Sequence, residues 1–147
     1  MTMSTEVYFR IPYPPLSGNH MYSKGRGGSL TLRDEILEYR NQINGIMVGH
    51  GLANLMLGKG GEQFWLEWQI HPPGRGRRDV DNFRKPVADA ISRAGVWSDD
   101  SNLVLPVEMF RWYPATSPGH VSVWIRSYEG DDEEEEMQAA AEAAAVG

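Results

Sequence analysis

Cysteine is absent from all 147 residues. Its absence excludes disulfides, thiol catalysis and cysteine-ligated zinc, and is compatible with a reducing compartment. No apolar run approaches the ~18 residues that a membrane-spanning helix needs. The N-terminal stretch also lacks the charged and apolar blocks of a secretory signal. The expectation is a chain without a membrane span, working in the cytoplasm. Histidine is scarce and scattered. His20, His50, His71 and His120 show neither HxH nor HxxxH spacing, which argues against a histidine metal centre. Ser17 and Ser29 have no nearby His and Asp arrangement of the kind a triad requires.

Basic residues are outnumbered, 14 Lys and Arg against 20 Asp and Glu. The deficit is local. The segment EGDDEEEEMQAAAEAAAVG, residues 129–147, holds eight acids and no base, which leaves the body at twelve acids against fourteen cations. An acidic whole chain therefore does not exclude a polyanionic partner, because local charge decides. The expected organisation is one domain over residues 1–128 and an acidic, Ala-rich tail over 129–147, read as disordered or at best a frayed helix.

Along the body, Val7 to Ile11 alternates and then runs into prolines, which reads as a strand with an extended exit. LSGNHMYSKGRGGS is a loop that exposes Lys24 and Arg26. Thr31 followed by Asp34 resembles a helix-capping signal. Ile36, Tyr39, Ile43 and Met47 then recur on one helical face, to about Val48. FWLEWQIH (Phe64 to His71) reads as a strand and NFRKPVADAISRA (Asn82 to Ala94) as a helix ended by Gly95. Pro86 is tolerated in that helix only if it falls in the first turn. LVLPVEMFRWYP and HVSVWIRS read as two strands joined as a hairpin across ATSPG. Trp65, Trp68, Trp112 and Trp124 lie on strands and are expected in the core or on a dimer surface, not as base-stacking platforms. The whole is a small α/β (α+β) fold, a mixed sheet with two main helices packed on it.

The chemistry concentrates in RGRRDVDNFRK, Arg75 to Lys85, where five cations surround two aspartates. Asp79 and Asp81 stand at i and i+2 where a loop meets a helix. In extended chain such residues point to one side. Two hard carboxylates at one place suit Mg²⁺, or Mn²⁺, in preference to zinc or copper. Arg75, Arg77, Arg78, Arg84 and Lys85 would then hold phosphates that the carboxylates alone would repel. Lys85, four residues after Asp81, shares its helical face and is placed to steady charge on a phosphodiester. Asp89 is a weaker candidate, one turn further on. Asp99 and Asp100 follow the helix, whose dozen residues span about 18 Å. They reach the first pair only if WSDD folds back, with Trp97 packing the return. The same Asp pair also suits a helix cap and its dipole, and the spacing leaves both readings open.

DVDNFRKPVADAISRAGVWSDDSNLV resembles the signature of the RusA family of crossover junction endodeoxyribonucleases, found in bacteria and their phages. The family pattern is DxDNxxK, then a helix containing DA, then AG-x-W-x-DD. Asp79, Asp81, Asn82 and Lys85 match it, followed by Asp89-Ala90, Ala94-Gly95, Trp97 and Asp99-Asp100. PYPPLSGNHMY is similar to the family's Pro-Pro-Ser-x-Asn-x-x-Tyr segment, with one extra residue before Asn19, and LTLRDEILEYRNQI to its first helix. The resemblance spans about Val7 to Arg126. It implies a homodimer that nicks opposed strands of four-way DNA using Mg²⁺, with Asp79, Asp81 and Asp100 as the acids and Lys85 as the lysine. Asn19, Lys24 and Arg26 join the arginines as expected DNA contacts. Two features depart from the family pattern: the acidic tail and Pro86. Rival expectations are a phage nuclease for flaps or forks and a junction binder without catalysis. Intact acids beside a phosphate site weigh against the second rival.

Overall fold

Residues 5–129 and 141–144 are described in the computed structural model, and only residues 141–144 of the Ala-rich tail, a helical turn, fall among them. The acidic block at 130–140 lies outside the described residues.

Eight elements follow in order: β1 (Glu6–Pro12), β2 (Tyr22–Lys24), β3 (Leu30–Leu32), α1 (Asp34–Gly49), β4 (Phe64–His71), α2 (Val80–Arg93), β5 (Val107–Trp112) and β6 (His120–Ser127). The main sheet has the order β1-β6-β4-β5, and β2 with β3 forms a separate small hairpin. Alternation sorts the strands into two faces. Phe9, Ile11, Leu66, Trp68, Ile70, Val121, Val123 and Ile125 are buried in the core. Against them lie Tyr39, Ile43 and Met47 of α1 and Phe83, Val87 and Ile91 of α2. Ile36 is buried as well, so all four α1 residues the helical spacing predicts are inside. The remaining strand positions point to the opposite face. There Trp65 and Trp124 meet edge to face at 5.4 Å, with the Arg126 guanidinium over both rings. Buried Glu67 accepts from Arg111 at 2.8 Å beside them. Among the described residues no helix is long and apolar enough to cross a membrane.

Three expectations are corrected. The first is the cap of α1. Thr31 is taken into β3, opposite Ser23, so α1 begins after Arg33 without a side-chain cap. Asp34 and Glu35 in its first turn still favour the positive end of the helix dipole. The second is Pro86, which stands at the seventh residue of α2, a turn later than expected. Its missing N–H leaves the Asn82 carbonyl without its helical donor. Gly18 passes close over this point, where an added Cβ would lie 3.4 Å from both the Asn82 oxygen and the Lys85 Cβ.

The third correction is the hairpin. β5 pairs in parallel with β4, from Trp65 opposite Val107 to Ile70 opposite Trp112, and β6 lies antiparallel on the other side of β4. The α2 crossover sets β5 parallel to β4. The more apolar β6 takes the sheet interior, while β5, with Glu108 and Arg111, takes an edge, where charge is tolerated. The connection 113–119 therefore crosses the end of β4, held by Tyr113 N–H on the Ile70 carbonyl at 2.8 Å and Thr116 N–H on the Pro72 carbonyl at 2.9 Å.

That crossing rests on stacked rings. His71 stacks on Tyr113 at 4.9 Å and on His120 at 4.3 Å. Burial, then Arg10 and His71, hold His120 below the ordinary histidine pKa. The unfolded chain thus takes this proton more readily than the folded one. Stability should fall as pH drops from about 7 through the ordinary value of about 6.5. His120→Asn should flatten that part of the profile in urea titrations from pH 7.5 to 5; an unaltered profile would show that other groups set the acid limb.

Candidate active site

Asp79 is the N-cap of α2, its Oδ1 accepting from the Asp81 N–H at 3.0 Å. The capping role is thus real, and it occupies one of the two carboxylate oxygens. Asp81 sits in the first turn, exposed like Asp79. Both acids lie at the helix end whose free N–H groups favour negative charge. Lys85 is exposed one turn along, and has no ion-pair partner among the described residues.

Asp100 arrives from the far end of α2. Gly95, at a φ of +75°, turns the chain where a side chain would press within 3.0 Å of Asn54. Trp97 is buried, its indole N–H on the Ser92 hydroxyl at 2.6 Å and its ring edge-on to Trp68. Ser98 then donates to the Leu57 carbonyl at 2.8 Å, which aims the next residues back along the helix. The Asp100 carbonyl accepts from Arg84 at 2.8 Å, and its carboxylate stands 3.8 Å from the same guanidinium. The return thus brings Asp100 to Arg84, three residues past Asp81. Asp99 remains exposed, bonded to Ser101, which holds its carboxyl below the usual range. Asp89 pairs with Arg40 of α1 at 4.0 Å, linking the two helices away from this site.

Arg84 is therefore not an open phosphate contact. Its Nε donates to Glu108 Oε1 at 2.8 Å, and that same oxygen accepts the Trp68 indole N–H at 3.0 Å. Burial alone would lower the Arg84 pKa. The hydrogen bond and charge of Glu108, with Asp100 and Asp89, outweigh that and raise it. Glu108 escapes the sequence reading; its one signal is an acid within the otherwise apolar run LVLPVEMF.

The other cations face outward. Arg75 and Arg77 are exposed. Arg78 donates to the Gly74 carbonyl at 3.1 Å and lies over the Tyr13 ring at 5.5 Å. Burial raises the Tyr13 pKa against the opposing pull of Arg78. A cleft of about 380 Å³ opens between the Tyr13–His20 stretch and the start of α2, bordered by Asn19, Arg77, Arg78, Asp79 and Asn82. Lys24 lies apart on the β2–β3 hairpin, and Arg26 in the turn at its tip, its side chain outside the described residues. Among the described residues no three His, Asp or Glu side chains form a ready cage for a metal ion. The arrangement is an exposed acid pair at a helix N-terminus beside a basic cleft, with a third acid tethered to Arg84.

A family model described as Endodeoxyribonuclease RusA matches residues 12–126. The chain is 35% identical to the crossover junction endodeoxyribonuclease RusA of Shigella sonnei over 95 residues, 64% of this chain and 73% of that one. It is 34% identical to the enzyme of that name from Enterobacteria phage 82 over 101 residues, covering 66% and 76%. Against that of Escherichia coli O139:H28 it is 33% identical over 116 residues, covering 78% and 89%. The family match contains Asp79 to Asp100 and stops short of the tail.

Glu108→Ala should lower stability by about 2–3 kcal/mol, because it leaves the Arg84 Nε–H and the Trp68 indole N–H without an acceptor and removes the charge nearest the guanidinium. Glu108→Gln keeps an acceptor for the indole and should lose about half as much. Urea unfolding followed by tryptophan fluorescence measures both, and an unchanged midpoint in the alanine variant would show that water replaces Glu108 without loss.

Proposed function

The chain belongs to the RusA family of endodeoxyribonucleases, and on that premise we propose that it resolves four-way DNA junctions by paired nicks, with Asp79, Asp81, Asp100 and Lys85 at the reacting phosphate. The observation that carries this reading is the exposed Asp79–Asp81 pair at the N-terminus of α2, beside a cleft edged by Arg77 and Arg78. A pure binder of DNA gains nothing from two acids beside phosphates.

The donors suit a hard divalent cation. Mg²⁺ commonly takes one or two protein carboxylates and completes its shell with water and phosphate oxygens, a demand that an open pair meets without a closed cage. Asp79 and Asp81 would hold it, with Asp100 as the third acid, and Mn²⁺ would serve in its place. When bound, the ion supplies Lewis acidity and an activated water for in-line attack on phosphorus. The protein supplies the rest. Arg75, Arg77 and Arg78 draw the phosphate backbone to the acids, with Asn19 on the opposite wall of the cleft. Lys85 offers a cation where charge grows on the phosphoryl oxygens. Arg84 acts through Asp100, fixing it near the helix while Glu108 fixes Arg84. Lys24, exposed on the hairpin, would add a contact to a more distant phosphate.

A homodimer with one site per protomer would cut two strands symmetrically, because a two-fold axis presents identical sites to a near-symmetric junction. DNA as substrate puts this work in the cytoplasm of a bacterial or phage-infected cell. The tail from Glu129 has no part in this reading.

The test is cleavage of a mobile four-way junction labelled on each strand. Wild type with Mg²⁺ should give paired symmetric nicks and none in EDTA. Asp81→Asn should lose at least about a hundredfold in rate, yet bind as well or better, since it removes negative charge near phosphate. Lost binding in that variant would make Asp81 structural. Faster cutting of flaps or forks than of junctions would favour the branched-DNA alternative. Separately, Arg77→Ala and Arg78→Ala should each flatten the dependence of log affinity on log salt by about one per lost phosphate contact. An unchanged slope removes them from the interface.

A further inference from the structure

β5 ends with two aromatic rings in the open. Trp112 and Tyr113 are 38% and 37% exposed. Their backs are fixed. The Trp112 ring rests edge-on against Phe83 at 5.8 Å, and Tyr113 closes a three-ring column with His71 and His120. Rings held this way lose little freedom when something stacks on them. In front of them lies a second cleft of about 380 Å³, walled on its other side by Pro72, Arg75 and Arg78. Arg78 also lines the cleft that holds Asp79 and Asn82, so the two spaces share a wall. Phe83, which supports Trp112, sits between Asn82 and Arg84 of α2.

Flat exposed rings beside guanidinium groups match one ligand well: a nucleobase with its phosphate. Base faces stack on aromatic side chains whatever the base, and the phosphate seeks the arginine. In an intact duplex every base face is already covered by its neighbours. A branch point, where stacking is interrupted, offers a base that can leave the stack at low cost. We propose that the Trp112–Tyr113 cleft receives one nucleobase unstacked at the branch point, as the next ring on the Tyr113–His71–His120 column, with its phosphate on Arg75. The inference rests on the junction-endonuclease reading and deepens it. The pocket recognises branching through stacking, and it sits beside the acids so that a captured base sets which phosphate reaches them. Trp112, expected in the core or at a dimer surface, flanks that base.

The experiment uses the full chain carrying Asp81→Asn, in EDTA, and a four-way junction with 2-aminopurine at each nucleotide flanking the crossover in turn. Binding should quench the fluorescence at one flanking position. Tyr113→Leu, which keeps bulk but no ring, and Tyr113→Ala should both abolish that quenching. Both should weaken junction binding by about 5- to 150-fold while leaving linear duplex binding unchanged. Tyr113→Phe should restore both signals, since the ring face and not the hydroxyl is used. Unchanged quenching and an unchanged junction-to-duplex ratio in Tyr113→Leu overturn the proposal. So does a fall in sedimentation mass in that variant, which would assign the rings to a contact between copies. A parent protein that shows no preference for the junction overturns the endonuclease reading itself, and this one with it, before any Tyr113 variant is compared.

Discussion

The Arg84 guanidinium is the point on which the arrangement of the site depends. It leaves α2 within one turn of Asp81, takes Glu108 of the edge strand through Nε, and reaches the backbone and carboxylate of Asp100 through its other nitrogens. A half-buried arginine without partners would carry a desolvation penalty, so its bonds to Glu108 and Asp100 tie helix, strand and return turn together. Glu108 is itself oriented by the Trp68 indole, and Trp68 stands at the centre of the ring cluster with Phe83, Trp97 and Phe110. The hydrophobic core thus fixes an acid, the acid fixes a cation, and the cation fixes the third aspartate. Position passes outward from packing to chemistry in that order.

The second constraint is the crossing of the Pro14–His20 stretch over α2. Pro86 removes one helical hydrogen bond at Asn82, and Gly18 brings the crossing chain close enough to meet the helix at that level. The two departures from regular structure occur at the same place, and between them they form a wall of the basic cleft. A Cβ at Gly18 would already stand in contact with Asn82 and Lys85, which leaves little room for anything larger. The cleft is therefore a product of two segments nearly seventy residues apart, each made irregular where they touch.

Much of this was legible because it is local. β4 and β6 begin and end where the alternation says, and the buried face of α1 is the one its spacing predicts, because period and burial are set by neighbouring residues. Asp79, Asp81 and Lys85 were singled out by spacing, and Asp100 by family resemblance, while the structure brings the return at WSDD back to Arg84. What failed is what depends on distant partners. ATSPG looks like a hairpin loop, but pairing was decided by the α2 crossover and by β6 having the better claim to the interior. Arg84 reads as one more cation among five, since no local pattern reveals that Glu108 lies across from it. Trp112 reads as core or dimer surface, and alternation does not say that its strand emerges from beneath the helix there. The β2–β3 hairpin is short and mostly exposed, which leaves little hydrophobic signal to read.

The charge arithmetic of RGRRDVDNFRK now has a physical form. Arg84 and Lys85 are adjacent, and a helix turns successive side chains by about 100°, so one goes inward to Glu108 while the other stays in water. Removing Arg84 from the surface count leaves Arg75, Arg77, Arg78 and Lys85 facing solvent against Asp79 and Asp81. That balance is only mildly positive, and solvent and salt screen such exposed charges. A divalent cation on the acid pair would cancel the two negative charges and roughly double the local positive charge. Affinity for phosphate and occupancy by the cation would then strengthen each other, since each neutralises what opposes the other. Five cations around two aspartates would in this sense make a conditional site, drawing phosphate more strongly once the acids are occupied, and that condition would follow from the acids lying within the basic stretch instead of apart from it.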